Sequence, residues 1–263
     1  MRIGRTYWTL QRWIAPGLTN SQDAYRDSLL SHLANRPRWL DLGCGHQFLP
    51  DWAWTPDPQL LSRLPRVAGV DADLGSLRRH ASLKYRVGGD ISRLPFAAES
   101  FDLVTANMVM EHVADPERTL EEVSRVLAPG GLFLFHTPNV ASPLVFLAAR
   151  LPDRFVKLVV RVLEGRAEED VYPTVYGINT RARVAELGGR AGFRLERAQL
   201  AANGALTASL GPLALFELLC IRITGWRRFH FLRPAIIAAL RKPHGETSRA
   251  AAMGGNGTGG AAA

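Results

Sequence analysis

Arg38-Trp39-Leu40-Asp41-Leu42-Gly43-Cys44-Gly45-His46-Gln47 is the stretch on which the fold turns. An apolar strand-like run closes on Asp41 and passes into a loop whose Gly43 and Gly45 let backbone approach a ligand closely. A second run, Val67-Ala68-Gly69-Val70-Asp71, also closes on an acid. Paired strand ends of this kind are how an α/β sheet holds a nucleoside, with glycines against the ligand chain and the acid on the ribose hydroxyls. Each signal alone has a plainer reading: turn glycines for the first, a solvated strand-end acid for the second. Their joint order favours the nucleoside site.

The 263 residues suffice for one large domain, or one domain with an appendage. An apolar content of 47% and a charged content of 21% are those of a globular chain. Cys44 and Cys220 suggest no disulfide scaffold and no zinc-ligand spacing, so no metal site is expected. The opening residues lack the apolar core and cleavage site of a secretory leader, and a cytoplasmic location is the expectation. The net charge of +8 invites a polyanion partner, and the excess lies in the first 40 residues and in 222–249. An arginine-rich solvated surface is the alternative.

Along the chain, a helix is expected over 19–34, strands over 38–42, 66–71, 84–88 and 101–106, and helices near 58–64 and over 74–81. Pro116 opens a helix over 116–127, Pro129-Gly130-Gly131 stops it, and Leu132–His136 is the next strand. Strands alternating with helices predict a doubly wound α/β fold with a mostly parallel sheet and helical insertions. Residues 143–163 read as two helices broken at Pro152, 180–191 as a helix and 193–200 as a strand. The expected organisation is an N-terminal helical cap at 1–36 and an α/β domain at 37–204, with an acceptor-covering insertion at 143–179. An apolar and basic helical segment at 205–246 and a disordered tail at 247–263 follow.

Over residues 37–140 the chain resembles the class I S-adenosylmethionine-dependent methyltransferases that act on small molecules, with a Rossmann-like fold. Asp41, Gly43 and Gly45 resemble that family's first motif, which holds the methionine part of S-adenosyl-L-methionine. By the same resemblance Asp71 meets the ribose, Asp90 and Ile91 meet the adenine, and Asn107 opens the loop facing the transferred methyl. Where the family carries a further glycine, this chain has Gln47. A dinucleotide would need that glycine beside an open helix start, and Gln47-Phe48-Leu49-Pro50 is a poor phosphate nest.

A methyltransferase must align an acceptor with the sulfonium, and a hydroxyl acceptor also calls for a base. His112 and His136 are the candidates, with structural roles as the alternative. Tyr172 and Tyr176 are candidates for the acceptor pocket. The Asn/Asp-Pro-Pro-aromatic loop that holds a flipped base is absent, because Met108-Val109-Met110 follows Asn107. No nucleic-acid partner is expected.

The acceptor implied is a small molecule, a glycan or a lipid-linked precursor, most simply methylated on oxygen. Residues 206–223 are apolar but broken by Pro212 and bear Glu217 and Arg222, which argues against a bilayer span. The basic-aromatic residues after them suit either an anionic membrane surface or a helix pair packed on the domain. A non-catalytic, cofactor-binding accessory protein at the inner membrane face is the alternative to an enzyme.

Overall fold

A computed structural model of the protein describes residues 3–16, 18–33, 37–48, 67–80, 82–150, 173–202 and 212–244. Its centre is a seven-stranded sheet of β1 (Trp39–Leu42), β2 (Val67–Asp71), β3 (Tyr85–Gly88), β4 (Phe101–Asn107), β5 (Leu127–Pro138), β6 (Arg194–Ala201) and β7 (Ala235–Arg241). The order across the sheet is β3-β2-β1-β4-β5-β7-β6. β3 to β5 across the sheet are parallel, and β7 runs antiparallel between β5 and β6.

The helices follow from local signals. α1 spans Ile3–Ile14 and α2 spans Ser21–Leu33. α3 (Leu74–Arg79) starts where the Asp73 carboxylate accepts from the Gly75 and Ser76 amides. α4 (Pro116–Val126) has proline in its first turn and Asp115 accepting from the Arg118 amide, satisfying a donor the helix itself cannot. α5 spans Pro143–Ala148, and α6 (Arg181–Arg190) is capped by Thr180. α7 spans Pro212–Thr224, and short 3₁₀ turns occupy Met110–His112 and Arg227–Leu232.

Strand alternation divides the core into two layers. Val104, Phe133 and Phe135 pack with Leu120 and Val123 of α4 and with Val184 and Leu187 of α6. Leu103, Leu132 and Leu134 face the other way, onto Tyr25, Leu29 and Leu33 of α2. Each leucine so enclosed contributes about 1.5–3 kcal/mol.

Two expectations need correction. Residues 205–246 are not wholly helical, because Ala235–Arg241 is a strand with six consecutive buried residues. That apolar run lacks a two-residue period because both its faces are covered, and it reads equally well as a helix. The sheet therefore extends past residue 204. β5 also begins earlier than expected: Leu127 pairs with Phe101, and the segment stays extended through Pro129-Gly130-Gly131 after a register shift. The expected helix at 58–64, the part of the insertion at 151–172 with Tyr172, and the tail at 247–263 lie outside the described residues. No helix among the described residues is long and apolar enough to cross a membrane.

Candidate active site

The expected site residues gather at the carboxyl ends of the parallel strands, where doubly wound sheets bind ligands. Asp41 and Asp71 end β1 and β2, which pair in register, and Asn107 ends β4 opposite His136 of β5. Gly43 and Gly45 both hold left-handed backbone, with φ of 58° and 53°. A Cβ on Gly43 would lie 2.5 Å from Val109 Cγ2, so this part of the loop closes against the segment after β4. A Cβ on Gly45 would meet nothing within 4 Å, so there the backbone opens outward.

The loop is tied to the neighbouring strand. The Cys44 amide donates to the Val70 carbonyl at 3.2 Å, and the Gly45 amide donates to Asp71 Oδ2 at 2.7 Å. Asp71 Oδ1 accepts from the Asp73 amide at 2.8 Å. Each carboxylate oxygen keeps acceptor capacity for a ligand hydroxyl. The cradle is thus a turn of bare backbone with a half-exposed acid beside it.

Asp41 forms its floor. It is 5% exposed and accepts from the Thr105 hydroxyl, which in turn accepts from Trp39 Nε1 at 2.7 Å. Burial raises its carboxyl to about 7, against the pull of the Thr105 bond and with the push of Asp71. Cys44 is buried beside Gly69, a small packed residue whose thiol burial pushes upward. Phe48 turns inward instead of lining the cradle, stacking on Trp39 at 4.7 Å and edge-on to His80 at 4.8 Å. The departure at Gln47 therefore marks where the chain re-enters the core.

The Gly89 amide donates to the Asp71 carbonyl, which sets Asp90 and Ile91 beside the second strand end. Asp90 is exposed, and its carboxyl is held below the ordinary range by the Ser92 amide and hydroxyl, both at 2.8 Å. Ile91 is half-buried against the core.

Asn107 bridges two elements. Its Nδ2 donates to Gln22 Oε1 of α2 at 3.1 Å, and its Oδ1 lies 2.9 Å from His136 Nδ1. Since Oδ1 only accepts, this network assigns the imidazole proton to Nδ1 and leaves Nε2 bare. His136 is buried, stacked on Tyr25 at 5.8 Å, and burial lowers it to about 4. Its Nε2 has no partner among the described residues.

His112 stands in a second group. Its Nδ1 lies 2.9 Å from the Pro173 carbonyl and therefore carries a proton, and its Nε2 is 3.9 Å from Glu111 Oε1. Glu111 is buried, accepts from the Thr137 hydroxyl at 3.0 Å, and is raised by burial to about 7. Its backbone carbonyl accepts from the amides of Val175 and Tyr176, and Asn179 Nδ2 donates to Thr137 Oγ1 at 2.6 Å. Residues 173–179 are so fastened over the ends of β4 and β5, with half-buried Tyr176 at φ 58°. Sequence reasoning missed Thr105, Gln22, Tyr25, Thr137 and Asn179 as partners. Only Glu111 carried a signal, its adjacency to His112.

Comparison with known proteins agrees with the fold. Residues 40–135 match the model of a methyltransferase domain family. A malonyl-[acyl-carrier protein] O-methyltransferase of Coxiella burnetii is 44% identical over 71 residues, 27% of this chain and 24% of that protein. A "probable S-adenosylmethionine-dependent methyltransferase" of Mycolicibacterium smegmatis is 32% identical over 133 residues, 47% of this chain and 49% of that protein. The chain thus spans half or less of these curated relatives. The crystal structure of a [4+2]-cyclase, 17% identical, superposes with a TM-score of 0.50 over 83% of this chain and 82% of that one, and shows the fold alone. Residues 40–135 therefore carry a methyltransferase domain of the class I S-adenosylmethionine-dependent type.

Proposed function

We propose that this chain transfers a methyl group from S-adenosylmethionine to an oxygen of a small molecule, a glycan or a lipid-linked precursor. The observation that carries the reading is the junction of Gly45 and Asp71, where an open glycine turn and a strand-end carboxylate are fixed to each other. The residues present fit the cofactor. Gly43 and Gly45 offer backbone to its amino-acid chain, Asp71 offers two acceptors to the ribose, and Asp90 with Ile91 offers an acceptor and an apolar face to the adenine. When bound, S-adenosylmethionine supplies an electrophilic methyl on a positively charged sulfur.

The chain's own work is alignment and proton handling. His112, half-buried on the 3₁₀ turn after β4, has its Nδ1 proton fixed by Pro173, so Nε2 is the atom that takes a proton from an acceptor hydroxyl. His136 is the weaker base, since burial lowers it to about 4, and it serves to orient Asn107. Tyr176 borders the acceptor side. The Coxiella relative's name specifies methylation on oxygen of a carrier-bound group, which supports an oxygen acceptor here. The shared fold does not decide the reaction.

Calorimetry with S-adenosylmethionine and S-adenosylhomocysteine, on the wild type and Asp71→Ala, tests the site. Removing a charged acceptor from two hydroxyls is expected to weaken binding by about 10- to 150-fold, from about 1.5–3 kcal/mol. Unchanged affinity in the variant would refute the cradle. Binding without methylated product across a broad panel of hydroxyl acceptors would refute the enzyme and favour an accessory protein.

A further inference from the structure

Four elements meet at the carboxyl end of β5. α1 packs on α7, where Leu218 and Ile221 are buried with Ile14, Ala15 and Leu18. Arg222 Nη1 donates to the Ile14 carbonyl at 2.6 Å, joining the two helices. Arg233 Nε donates to the Thr224 carbonyl at 3.2 Å, linking the end of the 3₁₀ turn at 227–232 to the end of α7. Asn139 Nδ2 donates to the Arg233 carbonyl, and the Ser142 hydroxyl, just before α5, donates to the Leu232 carbonyl. The corner is therefore anchored beside the strand end that carries His136 and Thr137.

Its outward chemistry is unusual for a domain surface. α7 is apolar on two opposite faces: Leu218 and Ile221 face inward, while Phe216 (63% exposed), Leu219 and Ile223 lie in solvent on the other side. Trp13 of α1 is 81% exposed, and Trp226 and Phe231 are 60% and 57% exposed. On α5, Phe146 and Leu147 are exposed as well, with the Arg150 guanidinium over the Phe146 ring. A helix that packs one apolar face on the domain and leaves a second in solvent, beside exposed tryptophans, marks an interaction surface. At 13 residues α7 is too short to span a bilayer, which takes about 20.

Charge selects the occupant. Among the described side chains of α1, α5, α7 and the 3₁₀ turn, with Arg150, the charges are Arg12, Arg150, Arg222 and Arg228 against Glu217 alone. Apolar side chains, two exposed tryptophans and an excess of arginine are the chemistry of an interfacial helix on anionic lipid. A polar protein partner would leave the apolar face unmatched, and a second copy would bring arginine against arginine.

We infer that the corner built by α1, α7, the 227–232 turn and α5 docks on an anionic lipid bilayer, holding the carboxyl ends of the strands next to the membrane surface. An acceptor with an apolar tail can then leave the tail in lipid while its polar head reaches the cradle. This deepens the lipid-linked branch of the proposed function, but the docking itself is independent of methyl transfer.

The test is flotation of the full chain with vesicles of equal phosphatidylglycerol and phosphatidylcholine, and with phosphatidylcholine alone. The wild type is expected to float with the anionic vesicles and to lose at least tenfold of its binding on neutral ones. Trp13→Ala/Phe216→Ala/Trp226→Ala and, separately, Arg12→Glu/Arg228→Glu are each expected to lower flotation at least tenfold with S-adenosylmethionine affinity unchanged. That affinity control shows the variants folded and keeps a failed docking distinct from a failed cofactor site. A wild type that stays unbound, a triple variant that floats as well as the wild type, or a chain that dimerises in sedimentation without floating would each overturn the inference.

Discussion

Replacing Asp41 by Asn removes a charge from the floor of the cradle while keeping its shape. Asp41 is 5% exposed, and burial raises its carboxyl from 3.8 to about 7 despite the Thr105 hydrogen bond, with Asp71 adding to the rise. An acid raised in this way holds its proton more tightly in the folded chain than in the unfolded one. Folding is then unpenalised below about pH 4, and stability falls as the pH climbs through the folded-state value, levelling off above it. For a rise from 3.8 to about 7, the loss between pH 5 and pH 8 is about 2.5 kcal/mol. The assay is urea denaturation of wild type and Asp41→Asn at pH 5, 6.5 and 8, read as the difference between the two proteins at each pH. His80 and His136, both lowered to about 4 by burial, act in the opposite sense, adding stability as the pH rises to about 6.5. They cancel in the difference. The Asn variant should gain about 2.5 kcal/mol on the wild type from pH 5 to pH 8, and a difference flat to within about 0.5 kcal/mol refutes the reasoning.

The two loop glycines should separate stability from binding. Gly43→Ala is expected to lose about 1–2 kcal/mol from left-handed backbone and more from the clash with Val109, the latter relieved by Val109→Ala, in thermal denaturation. Gly45→Ala carries the backbone cost alone and should instead lose cofactor affinity by calorimetry, since its methyl enters the open side of the turn. Asn107→Ala strands the buried His136 N–H and should cost about 1–3 kcal/mol, while Asn107→Ala/His136→Phe recovers part of that loss because both partners go together.

What the sequence made legible was local. The strand, glycine turn and acid of 38–45 and 67–71 and the helix-opening Pro116 each act within a few residues, and the structure finds β1 to β4, α4 and α6 within a residue or two of expectation, while β5 starts five residues early. The doubly wound, mostly parallel sheet followed from the same signals, whereas the strand order and the Gly45–Asp71 hydrogen bond came from the structure. β7 was not legible, because a strand covered on both faces shows no alternation. The partnerships of Gln22 with Asn107, of Asn107 with His136, and of Glu111 with Thr137 and Asn179 were hidden for another reason. They join residues brought together only by packing α2 and the 173–179 segment onto the sheet, and no spacing in the chain announces them. Gln47 was legible as a departure but not as a cause, since its meaning lies in Phe48 dropping onto Trp39.

The antiparallel strand wedged between β5 and β6 has a consequence for synthesis. During translation β5 is made long before β7, so its outer row of amide and carbonyl groups waits without a mate while α5, β6 and α7 leave the ribosome. β6, already made, can pair with nothing until that late segment slots in beside it. Nascent chains stalled before residue 235 would carry a sticky sheet border, and chaperone demand should drop sharply once β7 clears the exit tunnel.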